Sequence, residues 1–315
     1  MTSVPASAAE ERKEGGKDRR SGQAGGALLT WVRQHPAALV TALCFTLLFA
    51  KPFALLLRDW WTNPEAGHGL LLAPVALWLA WKRGLLATAA PAPALGVALL
   101  LAAVLVRGVS ELAAELFTMR GSLLLAAVAL IVYYRGYRQA LHWWLPILLV
   151  ALSIPLPELV TSSIALPLQF KASALGASLL EWRDVPVLLA GNVIHIPGHQ
   201  LFVTEACSGL RSLNALLSLA VLIGGLWLRF PASRLLLVVV AIPVAILING
   251  VRVFLTGFLV FFVSPKFGEG FMHLSEGWLL FLVSLILIGA VAFLIGALER
   301  RLRPVPPAAV SSQDA

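Results

Sequence analysis

Eight apolar runs, at residues 36–57, 69–81, 94–110, 119–134, 139–157, 208–228, 234–262 and 275–298, divide this chain, and most are joined by short polar connections. A helix needs about 20 apolar residues to cross a bilayer, so the longer runs suffice alone and the second to fourth draw on their flanks. With 59% hydrophobic and 13% charged residues, the chain lacks the polar surface to cover itself as a soluble domain. The expected fold is an all-α polytopic membrane protein of about eight transmembrane helices.

Basic residues set the orientation. With the N-terminus inside, Lys82/Arg83, Arg135/Arg138, Arg229/Arg234 and Arg300/Arg301/Arg303 all fall on the cytoplasmic side, as does a basic tail with Arg12, Lys13, Lys17, Arg19 and Arg20. The net charge of +8 is therefore a topology signal and not a nucleic-acid stripe. The division expected is a disordered cytoplasmic tail over 1–30, a transmembrane domain over 31–300 and a cytoplasmic tail over 301–315, in the cell's inner (cytoplasmic) membrane. The only cysteines are Cys44 and Cys207, without paired spacing. That argues against a disulfide framework, a cysteine zinc site and a thiol relay, and no metal or cofactor is expected.

Chemistry is then sought in the four non-cytoplasmic connections, 58–68, 107–120, 158–207 and 263–274. In the first, Trp60 and Trp61 read as an interfacial aromatic belt, and His68 stands at the mouth of the second run. The long connection divides in two. Residues 158–182 mix apolar and polar side chains around Pro167, which suits helices lying in the headgroup layer. Residues 185–206 are β-branched, punctuated by Gly191-Asn192 and Pro197-Gly198, and read as a small extracytoplasmic β-meander. His195 and His199 bracket its second turn and lack a third metal ligand nearby.

Three residues at this face carry reactive groups. Cys207 precedes a long apolar run, at a helix start whose free N–H groups and dipole favour a thiolate. Arg252 lies inside INGVRVFLTG, where a charge costs about 2.5–3.5 kcal/mol unless it reaches water or a partner. Asn249, one turn earlier on the same face, can orient its guanidinium; the alternative for Arg252 is snorkelling to the interface. His273 opens the last run, with Gly277 one turn on allowing close approach of another helix. Together they suffice for acyl transfer: a thiolate attacks a peptide carbonyl, an imidazole moves the proton to the leaving amine, and a guanidinium stabilises the oxyanion. For Glu205 three roles stay open, pairing with Arg211, pairing with Arg252, or solvation.

Other classes compete. A transporter would carry polar residues on through several spans, whereas runs six to eight become uniformly apolar below the outer face. A non-catalytic component of envelope or polysaccharide assembly would tolerate loss of Cys207. No HExxH signature supports a metalloprotease, and Ser208, followed by Gly209, lacks the glycine two residues before it of a rhomboid-like serine site.

The motifs EACSGLRSL at 205–213, NGVR at 249–252 and HLSEGW at 273–278, with GHGLLLAP at 67–74 and AGNVIHIP at 190–197, resemble the exosortase/archaeosortase family of multi-pass membrane transpeptidases, over about residues 55–298. The resemblance implies that Cys207, Arg252 and His273 occupy the family's catalytic positions on the extracytoplasmic face. It also implies the partners: exported, membrane-anchored proteins whose C-terminal sorting signal joins a short motif, often Pro-Glu-Pro (PEP-CTERM), to a transmembrane helix and a basic tail.

Overall fold

A computed structural model describes residues 36–63, 65–203, 210–264 and 270–302, with side chains at all of these but 37, 38, 210–212 and 270–278. Helices α1 (Pro36–Thr62), α2 (Gly69–Arg83), α3 (Pro93–Leu112), α4 (Leu116–Arg135), α5 (Tyr137–His142), α6 (Trp144–Leu152) and α7 (Glu158–Trp182) lead to strands β1 (Leu188–Ala190), β2 (Val193–Ile196) and β3 (His199–Phe202). Helices α8 (Leu210–Trp227), α9 (Pro231–Phe262) and α10 (Gly270–Leu302) follow. The chain forms two compact units, Met1–Ala54 and Leu55–Ala315. In the first, the described part of α1 exposes Leu43 and Leu47 and pairs the rings of Phe45 and Phe49 at 5.1 Å. All that follows concerns the second unit.

The protein is a mostly helical, multi-pass membrane protein. Six described helices are long and apolar enough to cross a bilayer: Leu39–Thr62, Pro93–Leu112, Leu116–Arg135, Glu158–Trp182, Pro231–Phe262 and Leu279–Leu302, with Leu213–Trp227 a shorter apolar helix. This differs from the eight runs at the second, fifth and sixth, and by the addition of residues 158–182. The fifth run folds as two short helices, α5 and α6, broken at Trp143, and α2 has only 15 residues. Residues 158–182, expected to lie flat in the headgroups as broken pieces, form one continuous helix. Pro167 does not break it, just as Pro74 and Pro243 stay inside α2 and α9. Lipid offers no partner for backbone groups that leave a helix, so a proline there is absorbed rather than used as an end.

Helix α7 runs parallel to α9 at close range. Gly176 abuts Val253, Gly250 abuts Leu175 and Gly257 abuts Leu180. Small buried residues, Ala165, Ala172, Ser173, Gly176 and Ala177, recur on the α7 face that permits this approach. Helix direction, not residue polarity, is what the sequence reading of this segment missed.

The three strands form an antiparallel sheet in the order β1-β2-β3, pairing Ile194 with Leu189 and Leu201. Gly191 and Gly198 turn the chain at φ of 64° and 78°, where a side chain is disfavoured. Asn192 Nδ2 ties the first turn to Val203 O and Gln169 Oε1. Ile194 and Ile196 pack with Ala172, Ala177, Leu180, Val253 and Val260. A sheet with open edges has no place in hydrocarbon, so the level of Val253–Val260 lies at or beyond the membrane surface. Helix length agrees: the 32 residues of α9 extend about 48 Å, against a hydrocarbon core of about 30 Å.

At the other end, Glu299 of α10 accepts from the N–H groups of Arg229 and Phe230, capping α9 at 3.1 and 3.2 Å. Arg83 and Arg234 both stack on Trp144 there, 5.7 and 5.1 Å from its ring centre.

A separate lock joins α1, α2, α4 and α6. Trp60 is 7% exposed and donates from Nε1 to Ser153 O at 2.8 Å, so it is a buried clamp and not part of an aromatic belt; Trp61, 81% exposed, is free to serve as one. Gly69 lies flat against that indole, where a Cβ would come within 2.2 Å of Nε1. Asp59, partly exposed, forms an ion pair with the buried Arg120. Glu115 caps α4 beside it. Burial pushes its carboxyl upward, but hydrogen bonds from the Thr118 hydroxyl and the Thr118 and Phe117 amides, with the charge of Arg120, hold it below the usual value.

Removing one member of the Asp59–Arg120 pair strands a buried charge, at a cost of about 3–5 kcal/mol. Asp59→Ala is therefore expected to lower the melting temperature of the detergent-solubilised protein by several degrees, and Asp59→Leu combined with Arg120→Met to recover most of the loss.

Candidate functional site

Arg252 and Asn249 lie in the C-terminal half of α9. Leu237, Ala241, Val244 and Ala245 share a hydrophobic cluster with Leu213, Leu216 and Ala220 of α8 and Ile288 and Ala292 of α10. Arg252 follows Ala245 by seven residues, which returns it to the same face two turns further out. It therefore continues the stripe that α8 and α10 cover. Arg252 is half-buried and Asn249, one turn below it, is 5% exposed.

The heights of the three helix ends follow from the cap at Glu299. Arg252 is 22 residues along α9 from Phe230, about 33 Å; His273 is 26 residues along α10 from Glu299, about 39 Å. Helix α8 packs on both, and its first residue, Leu210, is 18 residues from Leu228, about 27 Å up. The backbone of His273 is thus roughly one turn above that of Arg252, and α8 begins about one turn below it. Cys207 precedes Leu210 by three residues, and Cys207, Glu205 and Ser208 lie outside the described residues. Arg211 is in the first turn of α8, and His273 and Gly277 are in the first two turns of α10, each known here by its backbone.

His68 is placed elsewhere, in the lock between α1 and α6. Its Nε2 is 3.2 Å from Leu152 O and donates to it when that nitrogen carries the proton. The GHG sequence at 67–69 is thus explained by packing: His68 fastens the entry of α2 to the end of α6, and Gly69 admits Trp60. His195 sits half-buried in β2, between Leu188 and Gln200, and His199 opens β3. Among the described residues, no group of three or more His, Cys, Asp or Glu could hold a metal ion.

Sequence reasoning assigned the site to the last three spans and left out α7. Yet α7 supplies the surface on which the outer half of α9 rests, through Gly176, Leu175 and Leu180. The signal was present as the spacing of Ala165, Ala172, Gly176 and Ala177, small residues on one helical face, in a segment whose hydroxyls drew attention to its polarity instead.

A family model described as Transmembrane exosortase (Exosortase_EpsH) matches residues 60–290, nearly three-quarters of the chain. No curated protein and no solved structure matches it.

The α7–α9 contact that supports Arg252 has no room for a side chain at Gly176, where a Cβ would fall 2.5 Å from Val253 and 3.3 Å from the Phe254 amide nitrogen. Gly176→Val is expected to destabilise by about 1–3 kcal/mol, through overpacking against a backbone that cannot yield. Gly121→Ala, with nothing within 4 Å of the added carbon, is the control that leaves thermal stability unchanged.

Proposed function

The chain belongs to the transmembrane exosortase family, and on that premise we propose that it is a membrane cysteine transpeptidase that cleaves the C-terminal sorting signal of exported proteins at the outer face of the cytoplasmic membrane. The observation that supports this reading is that two helix starts, that of α8 just after Cys207 and that of α10 with His273, lie about one turn below and about one turn above the level of Arg252, on the helix that both flank.

The reaction assigns one task to each residue. The Cys207 thiolate attacks the scissile carbonyl carbon, forming a C–S bond and a tetrahedral oxyanion, which the Arg252 guanidinium stabilises. Collapse of that intermediate breaks the C–N bond, and protonated His273 gives its proton to the departing amine. The products are a thioester on Cys207 and a released transmembrane tail. An incoming amine or water then loses its proton to His273 and attacks the thioester, which restores the thiolate and frees or re-attaches the exported protein.

Membrane anchoring suits this site. A substrate held by its own helix presents its motif just outside the bilayer, at the depth of the α8 and α10 starts. Confinement to that plane raises the effective concentration without a deep pocket. The orientation follows from the arginines: both termini are cytoplasmic, and the sheet and the Arg252 level face outward.

Co-expression with a reporter ending in a Pro-Glu-Pro motif, a transmembrane helix and a basic tail tests the assignment. Cys207→Ala is expected to abolish processing, and Arg252→Ala to slow it by about 10²–10³-fold, the range for loss of an oxyanion donor. Mass spectrometry of the wild type should find Cys207 carrying the mass of the truncated reporter. Processing that survives Cys207→Ala would favour a non-catalytic or transport role.

A further inference from the structure

Ser173 of α7 is fully buried, and its Oγ has no hydrogen-bond partner. The other buried serines among the described residues behave differently: Ser110, Ser122, Ser153, Ser218 and Ser284 each donate to a carbonyl three or four residues earlier. Asn249 repeats the pattern across the helix contact. Its Nδ2 is buried without a partner, whereas the buried amides Gln139 and Gln169 are both engaged. An unmet buried polar group is costly, so two of them together call for an explanation.

Their positions correspond. The contacts of Leu175 with Gly250, Gly176 with Val253 and Leu180 with Gly257 hold the parallel helices in a register that varies by only two residues, and that register brings Ser173 within about a residue of the level of Asn249. Ser173 is rotated about 60° from Gly176, and Asn249 about 40° from Val253 in the opposite sense. Opposite rotations on two parallel, facing helices lead to the same flank of the contact. Arg252 is about 100° from Val253 in the same sense as Asn249, and one turn above it, so Asn249 lies between Ser173 and the guanidinium.

We infer that Ser173 is a positioning residue for Arg252, acting through Asn249. The hydroxyl accepts from Nδ2 of Asn249, which fixes the carboxamide with Oδ1 turned toward the guanidinium and so holds Arg252 where the oxyanion forms. The two unmatched groups are complementary, one lacking an acceptor and the other offering one. The inference rests on the function proposed above.

Stability and activity separate this role from packing. For a serine that only fills space, Ser173→Ala removes an unsatisfied hydroxyl, raises or leaves unchanged the melting temperature and spares activity. For a positioning serine, the same substitution strands the Nδ2 of Asn249 and lowers the melting temperature slightly, while slowing turnover roughly tenfold, since slight misplacement of a stabilising group is enough to cost that much. The measurement uses the full chain in nanodiscs with the Pro-Glu-Pro reporter. Expected are a kcat about tenfold lower for Ser173→Ala, an unchanged KM, and a Ser173→Ala/Asn249→Ala double variant no slower than Asn249→Ala alone. Full turnover by Ser173→Ala overturns the inference. So does a double variant in which the two losses multiply. A wild type that leaves the reporter intact, or a Cys207→Ala variant that still cleaves it, instead sinks the proposed function, and this inference with it.

Discussion

Hydrocarbon cannot hydrogen-bond a peptide group, and the arrangement of the main unit depends on that fact. Every stretch of backbone inside the bilayer must close its bonds within a helix, which is why prolines at 74, 167 and 243 remain inside helices. The sheet, with two open edges, must stand outside. Because Leu201 of β3 meets Gly257, and Ile194 and Ile196 share a cluster with Val253 and Val260, the sheet locates the membrane surface along α9 and leaves the last part of that 32-residue helix above the lipid. Arg252 falls at this boundary. At that level the insertion cost of a mid-membrane arginine does not apply in full.

Above the boundary, the parallel contact between α7 and α9 determines how rigidly Arg252 is held. Gly176, Gly250 and Gly257 bring the two helices together so closely that each would be displaced by a single added carbon. Below it, Glu299 caps α9 and fixes the register of α10 against it. A helix fastened on one side by a glycine-lined contact and at its start by a buried carboxylate has little freedom to drift, and the charge stabiliser that the proposed function assigns to it requires such preorganisation.

Much of this was legible in the sequence, and the reason is contrast. Arg252 and Asn249 stand out because they interrupt an apolar run, and the turns at Gly191 and Gly198 because only glycine suits their backbone. What escaped was direction and depth. Ser173 and Lys171 made residues 158–182 look interfacial, but one face of that helix meets α9 and the other does not, and a helix facing lipid and protein at once leaves little amphipathic pattern to read. Trp60 and Trp61 are adjacent and chemically identical, yet one is 7% and the other 81% exposed, a difference set by Gly69 on another helix. The division of the fifth run into α5 and α6 likewise depends on partners: Gln139, Trp143 and His142 bond to Arg83, Gly84 and Leu86 far away in sequence.

The unmet polar atoms at Ser173 and Asn249 connect the two themes. Inside a membrane protein a serine normally satisfies itself by bonding back to its own helix, as five others here do. A serine that forgoes that bond sacrifices stability, and natural sequences keep such losses mainly where activity requires them. The loss at Ser173 occurs at the level of Arg252 and on its flank, in a helix with no catalytic residue of its own. On the proposed function, the unsatisfied hydroxyl and the close glycine contact both serve one end, a charge held by a neighbouring helix near the level of the sheet.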